Sequence, residues 1–425
     1  MKSDLLVISA AQLVTAPPGS GPLLGRDLDR PQLLADAAVA VVGKRIAAVG
    51  GTREVTARYP ERDASVVLDA RGRLVAPGFV DAHTHLPFAG TREMEFEARA
   101  RGERYEAIAE KGGGIRASVR CLREVSEDDL TALVRARLRT LLAQGTTTVE
   151  AKSGYGLSLE AESKQLRALA RAASDSPVTV IPTFLGAHEV PDEFRDRRSE
   201  YVDLLAETMI PGIARERLAR FCDVFCDRGV FTVEEARRVL TAGKTHGLLP
   251  KLHADELADV GAAALAAEVG AVSADHLLHA SDQGIDRMVA AGVIGVLLPG
   301  TAFTLGLPYA RARRMIERGL AIALATDFNP GSTMSSSMSM ALTLAVTQMH
   351  LSPAEAWMAA TANAACAVSE GADVGRIQPG FQADLCLFDA EDHRHIPYHY
   401  GHEHVHAVVT RGGLALSGDQ TLRTC

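Results

Sequence analysis

Residues 77–85 of this 425-residue chain read Pro-Gly-Phe-Val-Asp-Ala-His-Thr-His. Two apolar stretches, residues 74–76 and 79–80, lead directly into the histidines His83 and His85. On a β-strand, side chains two positions apart point to the same face, so both imidazoles project together from one strand end. The spacing therefore indicates half of a metal site. A histidine pair that ends a strand is more often simply solvated, so the rest of the chain has to supply further ligands.

The middle of the chain alternates short apolar runs with helical, charged stretches. Eight apolar runs fall at residues 75–80, 146–150, 178–184, 220–225, 248–252, 272–276, 293–298 and 320–325. Helix-like stretches separate them at residues 127–142, 160–173, 233–246, 260–269 and 311–319. Eight strands that alternate with helices predict an α/β fold of the (β/α)8 TIM-barrel type. A doubly wound open sheet is the alternative, but no Gly-x-Gly-x-x-Gly motif follows the first run.

The two ends of the chain are β-like in a way that the middle is not. Hairpin signals fall at residues 37–49 and 66–76, and short strands at residues 383–388 and 406–410. Pairing between the two ends would bring the termini together. We therefore expect a small β-sandwich-like domain built from residues 1–76 and 371–425, with a catalytic barrel at residues 77–370.

Composition excludes several classes of protein. A formal net charge of −8 shows no basic excess, which argues against a nucleic-acid partner. No run of about 18 apolar residues predicts a transmembrane helix, and the apolar residues 5–11 fit a strand better than a signal peptide. The six cysteines are scattered, at Cys121, Cys222, Cys226, Cys366, Cys386 and Cys425. No Cys-x-x-Cys pair suggests a disulfide framework or a thiolate zinc site, so we expect the reducing cytoplasm and no membrane partner.

Polar residues cluster where the predicted barrel strands end. They are His83 and His85 after the first run, Tyr155 after the second, His188 after the third, His253 and Glu256 after the fifth, His276 at the sixth, and Asp327 and Asn329 after the eighth. The chemistry of such barrels lies at the carboxyl ends of the strands. A random scatter of histidines would not follow that pattern, so these residues are the candidate active site.

Imidazoles and a carboxylate suit Zn²⁺ or Fe²⁺, and three or four protein ligands with one water indicate a catalytic ion. Such an ion lowers the pKa of its water toward neutrality. Glu256, three residues after His253, is placed to move a proton to or from that water. Two alternatives stay open: His276 could only orient a ligand, and Glu256 could be a solvated residue at a helix start.

The chain resembles the amidohydrolase superfamily across essentially its whole length. The resemblance rests on residues 77–85, His253, His276 and Ala-Thr-Asp at residues 325–327. Four further blocks narrow it: Phe-Ala-Gly-Thr-Arg at 88–92, Glu-Ala-Lys-Ser-Gly-Tyr-Gly-Leu at 150–157, Phe-Leu-Gly-Ala-His at 184–188 and Thr-Asp-Phe-Asn-Pro-Gly at 326–331. These are similar to the branch that opens an imidazolone ring in histidine degradation.

The resemblance implies the site residues. One Zn²⁺ or Fe²⁺/Fe³⁺ per chain would be held by His83, His85, His253 and Asp327. Catalysis would use Glu256, His276 and Asp327, and substrate would contact Arg92, Tyr155, His188, Glu256, Asn329, Gly331 and Ser332. Ser332 stands where many relatives have threonine, which keeps a hydroxyl. Binuclear members carry a lysine at the end of the fourth strand, and residues 220–227 have none; Lys152, after the second run, is not a substitute.

The implied reaction is hydrolysis of 4-imidazolone-5-propanoate to N-formimidoyl-L-glutamate, by water that attacks the ring carbonyl. Arg92 would bind the propionate, although a surface arginine at a helix start is the plain alternative. The first rival is a mononuclear-metal deaminase of a purine, cytosine or triazine-like ring. The second is a scaffold that kept the fold and lost the chemistry. Relatives also suggest a homodimer. Beyond the second copy of the chain, the only partner we expect is the small-molecule substrate.

Overall fold

The protein, described here as a computed structural model, is built on two sheets; the structure describes residues 1–102, 113–418 and 422–424. Within those ranges, the first sheet is nine-stranded and comes from both ends of the chain. Its strands are Ser3–Thr15, Gln32–Val42, Arg45–Gly51, Ala64–Asp69, Leu74–Pro77, Leu385–Phe388, Val405–Thr410, Gly413–Ser417 and Leu422–Thr424. We call it the terminal sheet.

The strand Ser3–Thr15 is the centre of the terminal sheet and explains the apolar run near the N-terminus. Leu5 and Val7 face one buried cluster, while Leu6 and Ile8 face another. This alternation is the period-2 pattern of a strand buried on both faces. The predicted hairpin at residues 37–49 is confirmed, because Gln32–Val42 pairs antiparallel with Arg45–Gly51.

The second predicted hairpin, at residues 66–76, is wrong. Ala64–Asp69 and Leu74–Pro77 do not pair with each other; both run parallel to Ser3–Thr15 along the same edge. The central strand bulges at Ser9, whose φ is +58°. The loop between the two short strands follows this bulge, with the Gly72 amide donating to Ser9 O at 2.9 Å. The turn signal at residues 70–73 therefore marks a kink in one edge and no reversal of the chain.

The second sheet is the predicted barrel of eight parallel strands, counted over the described residues. In order, the barrel strands are Phe79–Thr84, Thr146–Lys152, Thr179–Ala187, Phe221–Cys226, Leu249–Ala254, Ser273–His276, Ile294–Leu297 and Ile322–Leu324. The ends of the sheet meet where the Asp327 amide donates to His83 O and the His85 amide donates to Phe328 O, both at 3.0 Å. The expected (β/α)8 fold is confirmed.

The run predicted at residues 75–80 is two strands rather than one. Leu74–Pro77 belongs to the terminal sheet and Phe79–Thr84 to the barrel, and Gly78 joins them. The Gly78 amide donates to Asp384 O, and a Cβ on Gly78 would lie 2.3 Å from the side chain of Thr147. Only glycine fits this crossing without displacing a neighbour. The domain boundaries at residues 76/77 and 370/371 stay a prediction.

Helices pack against both sheets. The α-helices are Thr52–Arg58, Glu93–Ala100, Ile115–Glu124, Glu127–Ala143, Leu159–Ser174, Arg198–Leu204, Ile210–Arg215, Val233–Thr245, Ala262–Val269, Asp282–Ala291, Pro299–Leu305, Ala312–Glu317, Met338–Gln348, Pro353–Ala359, Ala362–Ala367 and His395–Tyr398. Among the described helices, none is long and apolar enough to span a bilayer. Five cysteines are free thiols, and Cys425 lies outside the described residues.

Candidate metal centre

Four predicted ligands meet at the carboxyl end of the barrel. His83 and His85 come from the first barrel strand and its end, His253 from the fifth, and Asp327 from the turn after the eighth. All four are buried. Asp327 Oδ1 lies 3.5 Å from the Nε2 atoms of both His83 and His85, and the Nε2 atoms of His85 and His253 lie 3.4 Å apart.

These distances fit a shared ion. Ligand atoms about 2.1 Å from a tetrahedrally coordinated metal lie about 3.4 Å from one another. His83 Nε2 and Asp327 Oδ1 are buried and have no hydrogen-bond partner among the described residues, which is costly unless something else satisfies them. Burial lowers the pKa of His83 and of His85 well below the ordinary range, so both imidazoles are neutral, the form that binds metal.

Carboxylates orient two of the histidines from behind. His83 Nδ1 donates to Asp275 Oδ2 at 2.6 Å, and His253 Nδ1 lies 3.2 Å from Asp223 Oδ1. Such carboxylate–histidine pairs fix the ring so that Nε2 faces the ion. Asp327 is held likewise, because its Oδ2 accepts hydrogen bonds from Thr301 and from Ser332, at 2.5 and 3.1 Å. Oδ1 is left facing the histidines.

Glu256 and His276 lie beside the ligands. Glu256 is buried, and its Oε2 lies 3.6 Å from His276 Nε2. The Asp227 carboxylate holds this loop by accepting hydrogen bonds from the backbone amides of Glu256 and of the two residues that follow it. Burial, with the negative charges of Asp327 and Asp227, raises the pKa of Glu256 to about 8. The alternative of a solvated helix start is wrong for Glu256, because the next helix begins only at Ala262.

Tyr155 and His188 form one wall of the centre. The His188 ring stacks on His85 with centroids 5.0 Å apart, and the Tyr155 ring lies 5.3 Å from that of His188. His188 Nδ1 donates to Gly154 O at 2.9 Å. Burial, with neighbouring His253, lowers the pKa of His188 to about 3, so it is neutral. Burial raises the pKa of Tyr155 above its ordinary value, so its hydroxyl keeps its proton.

Arg92 precedes the helix Glu93–Ala100, as the plain alternative predicted, but its side chain is only 10% exposed and is no surface residue. Its Nε and Nη2 donate to Glu95 Oε2 at 2.9 and 2.6 Å. Its Nη1 lies against Gly331, where a Cβ would come within 2.5 Å of that atom. The guanidinium can therefore lie here only because residue 331 has no side chain.

Asn329 and Ser332 shape the turn that carries Asp327. Asn329 Oδ1 accepts hydrogen bonds from the amides of Gly331 and Ser332, at 2.7 and 2.8 Å. Its Nδ2 donates to Asp327 O and to Ser332 Oγ, each at 2.7 Å. The structure thus brings all the predicted substrate residues to the centre or its rim, but it gives Asn329 and Ser332 a positioning role that sequence reasoning did not foresee.

Comparisons with known proteins agree on the family. The model of the amidohydrolase family matches residues 74–413, and that of the bacterial imidazolonepropionase-like composite domain matches residues 37–61. The imidazolonepropionase of Symbiobacterium thermophilum is 50% identical over 422 residues, 99% of each chain. That of Haloarcula marismortui is 47% identical over 411 residues, 97% of this chain and 96% of its own. This chain belongs to the imidazolonepropionase family of amidohydrolases.

Solved structures with a similar fold are more distant in sequence. Escherichia coli guanine deaminase superposes with a TM-score of 0.76 at 15% identity, covering 97% of this chain and 99% of its own. An adenosine deaminase from Xanthomonas campestris with bound zinc has a TM-score of 0.73 at 19% identity, covering 100% of this chain and 95% of its own. At such identities the likeness concerns the fold alone.

In this member of the imidazolonepropionase family, a buried lysine lies beneath the metal centre. Lys152 ends the second barrel strand, and its Nζ donates to Glu150 Oε1 and Asp223 Oδ2 at 2.8 Å each, with Asp275 Oδ2 at 3.6 Å. Burial alone would lower the pKa of Lys152, but Asp223, Glu150 and Asp275 raise it above its ordinary value. Lys152 is therefore charged, and it neutralises the carboxylates that orient His83 and His253.

Sequence reasoning set Lys152 aside and missed the roles of Asp223 and Asp275. A signal was present, because charged residues interrupt runs that otherwise read as buried strands. Glu150 and Lys152 are two apart and share the face that points into the barrel. A buried charge is retained only where it is paired. Each of these charged residues therefore predicts an oppositely charged partner inside the barrel.

Proposed function

We propose that this chain hydrolyses 4-imidazolone-5-propanoate to N-formimidoyl-L-glutamate, a step of histidine degradation. The observation that carries the proposal is Arg92, a largely covered arginine at the rim of the candidate metal centre. A guanidinium there suits a substrate with a carboxylate tail. Relatives named imidazolonepropionase that are 44–50% identical over nearly the whole chain support it.

We propose one Zn²⁺ or Fe²⁺/Fe³⁺ ion per chain, held by His83, His85, His253 and Asp327. Such an ion supplies Lewis acidity and lowers the pKa of a water ligand toward neutrality. The support is the convergence of the His83, His85 and His253 ligand atoms within 4.8 Å of one another, with Asp327 Oδ1 3.5 Å from two of them. Two buried atoms of this group also lack a hydrogen-bond partner among the described residues.

Glu256 moves the protons. Its carboxylate accepts a proton from the attacking water as the new C–O bond forms at the ring carbonyl. It then delivers that proton to the ring nitrogen as the C–N bond breaks, which leaves the formimidoyl nitrogen and a carboxylic acid that ionises to the carboxylate by losing its proton to solvent. A pKa raised to about 8 suits a group that both takes and gives a proton near neutral pH. Asp327, whose pKa burial raises to about 6, is the second carboxylate of the centre and would assist in the proton transfer.

His276 stabilises the oxyanion that develops on the carbonyl oxygen. It is neutral, because burial lowers its pKa, and it can therefore donate one ring N–H without adding a charge. Its Nδ1 is buried and has no partner among the described residues, and its Nε2 lies near Glu256. A neutral donor beside Glu256 is suited both to the attack of water on the carbonyl and to the release of the ring nitrogen.

The propionate binds at Arg92, and Tyr155 and His188 hold the ring. Because Glu95 takes Arg92 Nε and Nη2, the substrate carboxylate has to use Nη1 or displace Glu95. Gly331 leaves room for this approach. Asn329 and Ser332 contribute by fixing the turn between Asp327 and Gly331.

A ring deaminase remains the second candidate, because its fold and metal ligands would be similar. The scaffold alternative is disfavoured, since every predicted ligand is present and turned toward the centre. We also propose a cytoplasmic homodimer without a nucleic-acid or membrane partner, supported by the family resemblance and the net charge of −8. Light scattering after size exclusion tests the dimer.

Turnover decides between the candidates. The metal-loaded protein is assayed with freshly generated 4-imidazolone-5-propanoate, and in parallel with guanine, adenosine and cytosine. We expect loss of imidazolone absorbance with formation of N-formimidoyl-L-glutamate, and no ammonia from the bases. Ammonia release without imidazolone hydrolysis would instead establish the deaminase.

A further inference from the structure

A second group of histidines lies outside the metal centre. Six of the 14 histidines fall within residues 393–406, which we call the histidine segment: His393, His395, His399, His402, His404 and His406. None of them has a part in the proposed hydrolysis. Short histidine-rich tracts are a compositional sign of metal binding.

Three histidines of the segment already make side-chain hydrogen bonds or ion pairs with neighbouring residues. His393 Nδ1 lies 2.8 Å from Gln12 Oε1, His404 Nε2 donates to His399 O at 3.0 Å, and His406 Nδ1 lies 3.1 Å from Asp389 Oδ1. The imidazoles of the other three, His395, His399 and His402, are exposed. The described residues give these three no side-chain hydrogen bond or ion pair, only ring contacts within the segment.

Two of the exposed histidines have the sequence spacing of a ligand pair on a helix. His395 and His399 are one helical turn apart, joined by a 2.8 Å bond from the His399 amide to His395 O, and their ring centroids are 5.5 Å apart. Two imidazoles on one tetrahedral ion hold their centroids about 5.2 Å apart. The rings of His395 and His399 stack nearly parallel, at 10°, so at least one has to rotate about its side-chain torsions before both face one ion. The His402 ring lies 6.4 Å from that of His399 and has to rotate likewise.

The backbone that carries these residues is anchored. Ile396 and Pro397 are buried, and Pro397 O accepts a hydrogen bond from Thr343 Oγ1 at 3.1 Å. His393 O accepts one from Trp357 Nε1 at 2.9 Å. Only side-chain freedom therefore has to be given up on binding, which keeps the entropic cost small.

The surroundings favour a cation. A cavity of about 240 Å³ opens beside the segment and is lined by His399, His402 and His404. Glu403 is the one charged side chain among its lining residues. No residue of the metal centre lines the cavity, so an ion there would be separate from the catalytic one.

We propose that His395, His399 and His402 form a second, surface site for a divalent transition ion such as Zn²⁺, Ni²⁺ or Cu²⁺, with Glu403 as the nearby anion. Imidazole ligands select these ions over Mg²⁺ and Ca²⁺, which prefer oxygen. The site goes beyond the proposed hydrolysis and does not depend on it.

The test is a Zn²⁺ titration of the metal-loaded, tag-free protein against a chromophoric chelator, with Mg²⁺ in parallel. We expect one further equivalent of Zn²⁺ per chain and no competition by Mg²⁺. The double variant His395→Gln/His399→Gln should lose that equivalent and keep turnover and the first metal. The matched control replaces two exposed histidines elsewhere, as His246→Gln/His350→Gln, and should titrate like the wild type.

Three results would overturn the site. They are a wild-type protein that takes up no further Zn²⁺, a double variant that binds as much as the wild type, and a control that loses the equivalent equally. His402→Gln alone should weaken the second equivalent without removing it, because two ligands remain. Circular dichroism verifies that each variant is folded.

Discussion

Single residues at the ends of the barrel strands carry unusual backbone conformations. His276 has φ +74° and Asp327 φ +55°, and Asp255, next to the His253 strand, has φ +49°. A left-handed conformation costs a non-glycine residue roughly 1–3 kcal/mol. The fold compensates locally: Asp255 accepts hydrogen bonds from the amides of Val260, Ala262 and Ala263. His276 and Asp327 turn their side chains into the candidate metal centre, and Asp255 holds the loop beside it, so the backbone strain lies at the site, where it is expected.

The variant Glu256→Gln tests proton transfer by this single side chain. The amide is nearly isosteric and leaves the ligands in place, so the variant should keep its metal and its KM. It should lose about 10²–10⁴-fold in kcat, the usual contribution of a positioned acid–base group. Steady-state kinetics and elemental analysis on the same sample measure both. Near-normal kcat with metal bound would reassign proton transfer, first to His276.

Arg92→Met tests recognition of the propionate. Loss of a charge-assisted contact costs about 1.5–3 kcal/mol, or roughly 10–200-fold in kcat/KM. Arg92→Lys should weaken binding less, since it keeps the charge and loses the planar fork. Metal content should not change. Arg101→Met, at the exposed end of the same helix, is the matched control and should leave kcat/KM unchanged.

The decisive comparison for Arg92 uses an imidazolone without the propionate. The wild type should turn over this truncated ring poorly, and Arg92→Met should add little further loss. Equal losses on both substrates would mean that Arg92 is structural and that the carboxylate binds elsewhere.

Whole strands, more than single residues, decide how many ions the centre holds. The fourth barrel strand, Phe221–Cys226, offers Asp223 toward His253 and no lysine that could bridge two metals. The second strand instead supplies Lys152, which two carboxylates already engage. These strands fit the proposed single ion.

Elemental analysis after dialysis should therefore give about one transition metal per chain. Asp327→Ala and His253→Ala each remove a ligand, so each variant should lose most of the bound metal. Chelation of the wild type should lower the Tm, because an ion that binds only the folded state stabilises it by mass action. A reproducible value near two ions would contradict the single centre.

Lys152→Met tests the support beneath the ion. Without the ammonium, Asp223 and Asp275 repel each other and orient His253 and His83 less firmly. Metal affinity should fall by about 10–100-fold, the usual effect of removing such an outer contact. Chelator competition measures it independently of turnover.

Lys251→Met is the matched control for Lys152. Lys251 is equally buried and lies about as far from Asp275 Oδ2, at 3.8 Å against 3.6 Å for Lys152. It differs in donating to Ala82 O at 3.1 Å, whereas Lys152 donates to Asp223. Both variants should lose stability, whereas only Lys152→Met should lose metal strongly. Similar affinities in the two variants would show that Lys152 stabilises the barrel without tuning the centre.

At the scale of the whole molecule, the chain passes from the terminal sheet into the barrel at Gly78. Gly78 hydrogen-bonds Asp384 of the C-terminal part, and Phe79, the next residue, donates to Gly145 O in the barrel. Phe79 also stacks on Trp357 with centroids 5.1 Å apart. The terminal sheet is thus tied to the end of the barrel opposite the metal, where it supports the first strand and with it His83 and His85.

Gly78→Ala should lower the free energy of unfolding by about 1–3 kcal/mol, as overpacking does. Denaturant titration measures the loss, and metal stoichiometry should survive in the folded fraction. Thr147→Ala should recover part of it in the double variant, because the Thr147 side chain supplies the closest atoms. Gly21→Ala, where an added Cβ meets nothing within 4 Å, is the control. Full additivity of Gly78→Ala and Thr147→Ala would contradict the steric account.

The sequence by itself determined the barrel and the sheet built from its two ends, and it singled out the four candidate ligands. These features are local: apolar runs with period 2, charged stretches with helical period, and histidines at strand ends. Tertiary structure alone decided the rest. It split residues 75–80 between two sheets, turned a presumed hairpin into two parallel edge strands, placed Lys152 against Asp223, and used Asn329 to hold the Asp327 turn. Each of these depends on contacts between residues distant in the chain, or on turn geometry, and such contacts leave no periodic signal in the sequence.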